Sequence, residues 1–219
     1  PYNPGQHFSI NLSHEYLPLY ATKTFLRMLI ALMLSFIVTI TIGTIAAKSR
    51  SARKVLLPLI DIMQSLPVLG YIALAAPFFV NLFPHSTLGL DCVTIFATFT
   101  AQVWNMLLVY YQSVRTTPPD LLEASKMFHL SGWQRLWRLE IPSATPGLIW
   151  NAMISMSASW FIVVESEAIS VHGDTVMLPG LGSYIKTAVE ASNYNALWYA
   201  IFTMFIVIII YDQFLFRPL

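Results

Sequence analysis

Three sets of polar residues interrupt the long apolar runs of this chain at spacings that suit binding chemistry. Thr98, Gln102 and Asn105 share one helical face, as do Asn151, Ser155 and Ser159. Asp61, Gln64 and Ser65 stand just before Pro67. Amides and hydroxyls at bilayer depth act by hydrogen bonding, so two uses are open. They line a path for a small polar solute, or they bond across packed helices. Catalysis inside the bilayer needs a nucleophile paired with a base, or a set of metal ligands, and no long apolar run contains a histidine. His85, His172 and Asp174 have a spacing that matches no ligand motif, so no metal site is expected. "GLGSYIKT", residues 180–187, imitates a phosphate loop but has Ile185 where the second glycine must let backbone amides approach a phosphate. Nucleotide hydrolysis by this chain is not expected.

Composition requires these residues to be positioned by membrane helices. Of the 219 residues, 56% are hydrophobic and 11% charged, against about 25% charged in soluble domains. Apolar length gives five candidate spans at about 24–47, 56–83, 90–113, 146–169 and 197–216. The second contains Pro67 and Pro77, which predict a kinked or broken helix. Net charge is +1 and no basic stripe is present, so nucleic acid is not an expected partner. The single Cys92 excludes an internal disulfide. The chain starts at Pro1 and stops at "FLFRPL", and both ends predict a piece of something longer.

Loop charge predicts direction. Lys48, Arg50, Arg53, Lys54, Arg115, Lys126, Arg135, Arg138 and Arg217 fall on one side, leaving Lys23, Arg27 and Lys186 on the other. The positive-inside rule puts the first group in the cytoplasm, with the N-terminus of the segment outside and the C-terminus inside. Residues 1–22 then read as an external lead-in, and 170–195 as an external segment. Glu165 and Glu167 lie just before it, at the outer end of the fourth span, where they can oppose anions, hold a gate through hydrogen bonds, or simply be hydrated at the membrane edge.

Between spans three and four lies the polar-rich loop 115–142. "TPPD" at 117–120 predicts a helix start capped by Thr117. Leu121, Ala124, Met127 and Phe128 share its apolar face. "SGWQ" predicts a second start, with Ser131 as cap and Gln134 as capping-box partner. Trp133, Leu136 and Trp137 form the next apolar face, and Pro142 and Pro146 are expected to close the unit. A pair of capped helices either lies in the headgroup layer or protrudes to dock a cytoplasmic partner.

Glu123-Ala124-Ser125, followed by Ile141-Pro142, resembles the EAA loop of ABC importer permeases. "DIMQSLPVLG", "QVWN" and "LPGLGSY" make the chain most similar to the nitrate/sulfonate/taurine/bicarbonate group, and especially to the first half of fused permeases carrying two such cores. The resemblance covers roughly 23–217. It implies an all-α transmembrane fold, a five-span permease core with a cytoplasmic coupling helix between spans three and four. Glu123, Ala124, Ser125, Phe128, His129, Gly132, Ile141 and Pro142 would then couple to an ATPase. Gln64, Ser65, Gln102, Asn105, Asn151, Ser155, Glu165 and Glu167 are the candidate pathway residues. The implied partners are ABC ATPase subunits that bind ATP and Mg, a second permease domain in the same polypeptide or an identical subunit, a periplasmic solute-binding protein and the lipid bilayer. The implied location is the bacterial inner membrane, and this chain would carry no cofactor. Half of an ion-gradient-driven transporter and a structural membrane subunit are the alternatives. The family's loop glycine falls at His129, which predicts a turn displaced to Leu130-Ser131-Gly132.

Overall fold

Four helices of the computed structural model, which describes residues 10–83, 86–171 and 174–218, are long and apolar enough to cross a bilayer. They run His14–Lys48, Leu88–Arg115, Gly132–Ser166 and Tyr194–Phe216. A fifth candidate is a pair of helices bent by 96°. In chain order the elements are α1 (Leu17–Lys48), α2 (Arg50–Ser65), α3 (Val68–Leu82), α4 (Leu88–Arg115), α5 (Pro119–Met127), α6 (Gly132–Arg135), α7 (Ile141–Ser166), β1 (Ala168–Val171), β2 (Asp174–Met177), α8 (Leu181–Glu190) and α9 (Tyr194–Tyr211).

Helix α4 is the centre of the packing, with α1 along one side, α7 along another and α3 against it as well. Met28 and Leu32 of α1, Met106 and Tyr110 of α4, and Met156 and Val163 of α7 form one buried cluster. Gly43 permits the close approach of α1 and α4, since a Cβ there would sit 2.5 Å from the Tyr110 ring. The Tyr110 hydroxyl reaches Thr44 at 2.9 Å, so the ring's polar end is satisfied inside the contact.

The break between α2 and α3 falls at Leu66-Pro67, both extended. Pro67 has no N–H for the Met63 carbonyl four residues back. That carbonyl instead accepts the Tyr71 hydroxyl at 2.5 Å and the Leu66 N–H at 3.3 Å. Such repair from within the protein is what a bilayer demands of a broken helix. Pro77 and Pro58 lie inside helices without breaking them, so of the two prolines flagged in span two only Pro67 acts.

Two expectations about the fourth span are corrected. The fourth span runs without interruption from Gly132, so Pro142 and Pro146 do not close a separate unit. A π-helical turn at Leu136–Glu140 joins α6 to α7 directly ahead of Pro142. The same span ends at Ser166 instead of 169, because Ala168 begins the antiparallel hairpin β1–β2, in which Ala168 pairs with Met177. Among the described residues, an otherwise helical chain carries one two-stranded sheet.

Candidate functional site

Loop 116–142 folds as a compact knob. Thr117 does not cap α5. Its hydroxyl turns back to the Ser113 and Val114 carbonyls at 3.3 and 3.1 Å and helps to end α4, leaving Pro118 as the α5 N-cap. At the other end of α5, His129 adopts φ 49°. The His129 N–H bonds the Lys126 carbonyl and the Leu130 N–H bonds the Ser125 carbonyl, at 2.9 and 3.0 Å, which is a Schellman ending. The turn is therefore built at His129 itself and is not displaced to Leu130-Ser131-Gly132. Gly132 opens α6 with free space where a Cβ would be. The Ser131–Gln134 capping box forms as expected, with both reciprocal bonds present.

The knob buries little of its apolar surface. Ser125 and Leu136 face inward, whereas Phe128 is 77% and Met127 79% exposed, and Leu121, Trp133 and Trp137 are also exposed. Trp133 and Trp137 meet edge to face at 5.7 Å. Glu123 and Pro142 are exposed, and Ala124 and Ile141 half-buried. The base is fixed by Glu140, which is 1% exposed. One carboxylate oxygen accepts from Arg135 at 2.8 Å and the other lies 2.9 Å from the Lys48 ammonium.

At the opposite end of the bundle a second buried carboxylate does similar work. Glu167 is wholly buried; it accepts from Thr24 at 2.6 Å, Arg27 at 2.7 Å and the Gly182 N–H at 2.7 Å. Arg27 also pairs with Asp91 at 2.7 Å. Gly180 and Gly182 are required here: a Cβ at 180 would lie 2.3 Å from the Glu167 carboxylate, and one at 182 would lie 2.2 Å from the Val164 carbonyl. The first amides of α8, which the phosphate-loop imitation would have offered to a nucleotide, are taken by Glu167 and Thr24. Glu165, one turn-face away, is exposed beside Lys186 and Glu190.

The mid-depth polar sets separate. Gln102 is fully buried between Ser35 at 3.4 Å and the Met156 sulfur at 3.5 Å. Ser155 is buried, and Ser159 bonds its carbonyl at 2.6 Å. Gln102 thus links α4 to α1 and α7, whereas the Ser155 hydroxyl finds no partner among the described residues and Ser159 bonds within α7; all three are closed off from the surface. Asn151 is half-buried. Gln64 and Asn105, in contrast, meet on a cavity of about 370 Å³ at the α2–α3 break, lined also by Tyr71, Thr100, Trp104 and Ala158. Ser65 is exposed nearby, with its hydroxyl turned back to the Asp61 carbonyl at 2.7 Å. His85 and His172 lie outside the described residues.

Sequence reasoning missed Tyr71 and Trp104 as lining residues, and Arg27 and Glu140 as anchors. Arg27 was findable, because a guanidinium inside an apolar run needs a partner. Nothing local marks Glu140.

Residues 39–216 match the family described as binding-protein-dependent transport system inner membrane component. The chain belongs to that family. It is similar to a glycine betaine transport system permease protein of Bacillus subtilis, 28% identical over 76% of this chain and 54% of that protein. A glycine betaine/carnitine transport permease protein of Listeria monocytogenes is 25% identical over 88% of this chain and 63% of its own length. A bicarbonate transport system permease protein of Synechococcus elongatus is 22% identical, over 81% and 59%. The chain thus spans between about half and two-thirds of these relatives. Among solved structures, the methionine ABC transporter in an inward-facing conformation superposes with TM-score 0.73 at 15% identity, over 90% of this chain and 92% of that one, which shows a shared fold. The resemblance drawn from the EAA-type loop agrees with the family membership.

Proposed function

We propose that this chain is the permease part of an ABC importer, a multi-pass inner-membrane component that forms one half of a solute path. The knob at 119–137 docks into a cytoplasmic ATPase subunit, which binds ATP and Mg and supplies the energy. The observation that carries this reading is the row of exposed apolar side chains around Glu123 on a helix pair capped at its turns. A segment lying in lipid would need no such rigid turn, whereas a socket in a partner would. The glutamate supplies a charge for that socket, and Ala124 and Ser125 keep the helix slim where it meets its own protein.

In this reading the knob and the C-terminus are cytoplasmic, and α8 and the hairpin face a periplasmic solute-binding protein. The second half of the path comes from another permease domain, on the same polypeptide or an identical subunit. The solute is small and polar and passes the cavity at the α2–α3 break, where Gln64, Asn105 and Thr100 offer amides and a hydroxyl beside the Tyr71 and Trp104 rings. Among the described residues this lining holds no ionised side chain.

Glu123→Arg tests the docking. The variant is expected to reach the membrane at normal levels yet to lose both co-purification of the ATPase and solute uptake. Normal ATPase binding and uptake in this variant would overturn the proposal.

A further inference from the structure

We propose that Glu140 is a positioning residue that makes the knob, the end of α1 and the start of α7 move as one piece, and so carries displacement of the knob to α2. The inference rests on the docking reading above. Glu140 lies in the π-helical turn at which the chain passes from the knob into α7. A π turn is a weak point of a helix, because its ladder is already out of register. Left alone, a push on the knob would be absorbed there as bending. The carboxylate removes that freedom. It pairs with Arg135 on the knob side of the turn and with Lys48, the last residue of α1, while its own backbone leads into α7. With the carboxylate only 2% exposed, both pairs are shielded from competing water on that side.

The same end of α1 is tied onward. Arg53 of α2 donates to the Ala46 and Ala47 carbonyls at 3.2 and 3.0 Å, and its guanidinium lies over the Tyr111 ring of α4 at 6.0 Å. These are the last carbonyls of α1, left without helical partners, so Arg53 grips α1 where Lys48 is gripped by Glu140. The connection therefore runs from the knob through Glu140 and Lys48 to the α1 terminus, and from there through Arg53 into α2. Helix α2 carries Gln64 to the cavity at its far end. None of Glu140, Lys48 and Arg53 belongs to the exposed docking face.

The test is the number of solute molecules imported per ATP hydrolysed by the complete importer, full-length and with its own ATPase and binding protein, in proteoliposomes. Glu140→Gln is expected to keep the ATPase bound and hydrolysing while the ratio falls by about fivefold. Lys48→Met keeps the Glu140–Arg135 pair, and so the buried carboxylate's partner, and is expected to lower the ratio in the same direction. The double variant is expected to be no worse than Glu140→Gln alone, the non-additivity of two groups acting through one contact. An unchanged ratio in Lys48→Met overturns the inference even where Glu140→Gln fails to fold. Loss of ATPase binding in Glu140→Gln, at normal membrane levels, also overturns it, by making Glu140 part of the docking. Failure of the docking reading itself appears separately, as normal ATPase binding by Glu123→Arg.

Discussion

Helix α4 is covered by α1 and α7, and its Ala97, Val103, Met106 and Leu107 have no exposure, whereas α2 leaves Val55, Leu59 and Ile62 half to two-thirds exposed along one row. The two regions spend their polar groups differently as well. In the α1–α4–α7 block, Gln102 bonds Ser35, Glu167 bonds Thr24 and Arg27, and Glu140 takes two cations. At the α2–α3 break, Gln64 and Asn105 are left on a cavity surface. A membrane helix gains nothing from hiding apolar side chains from lipid, so its rigidity comes from close packing and internal polar bonds. The block has both at each end. The bent pair has a repaired backbone but leaves polar and apolar side chains uncovered.

The largest expected effect on this contrast comes from Glu167→Ala, which takes the acceptor from the Thr24 hydroxyl and the Gly182 N–H, leaves Arg27 with Asp91 as its remaining carboxylate, and is expected to cost about 3–5 kcal/mol. Thermal unfolding in detergent measures it, and a change within that of a lipid-facing control such as Phe202→Ala would show that the ion pairs do not hold the block. Next comes a matched pair of glycines. Gly182→Ala pushes a methyl into the Val164 backbone and is expected to destabilise by about 1–3 kcal/mol. Gly70→Ala, in α3 with nothing within 4 Å, is expected to be neutral or to stabilise by about 0.5–1 kcal/mol. Equal effects at the two sites in the same unfolding assay would erase the distinction between a filled block and an open pair. The smallest effect is expected from Tyr71→Phe, which removes the hydroxyl that repairs the Met63 carbonyl. A loss of about 1 kcal/mol should appear as faster hydrogen exchange confined to the backbone around residues 63–71. Unchanged exchange there would mean that the Leu66 N–H alone satisfies the break.

Much of this was legible along the chain. Apolar length pointed to four of the helices long enough to cross a bilayer, though not to where the fourth begins, and a proline in a long run pointed to the Pro67 break. The Ser131–Gln134 capping box closed as expected, because all its partners lie within four residues. The legible part thins where partners are distant. Thr98, Gln102 and Asn105 share a face by spacing, yet Gln102 is sealed against α1 and α7 while Asn105 is exposed, since one helix face can turn from a packed neighbour to a cavity within a turn. Two prolines argued for a helix end at 142–146, and a preceding π turn let the helix run through. His129 argued against a left-handed turn at its position, and the two Schellman bonds hold it there.

Local sequence by itself determined what depends on neighbours in the chain: the apolar lengths, the capped turn at Ser131, the break at Pro67 and the EAA-type pattern that marks the family. Only the tertiary structure decided which carboxylates became anchors. Glu140 meets Lys48, and Glu167 meets Thr24 and Arg27, across more than ninety residues of chain. A charge shut away from water must find its counter-charge wherever the fold brings one, and that distance in space has no trace in the order of residues.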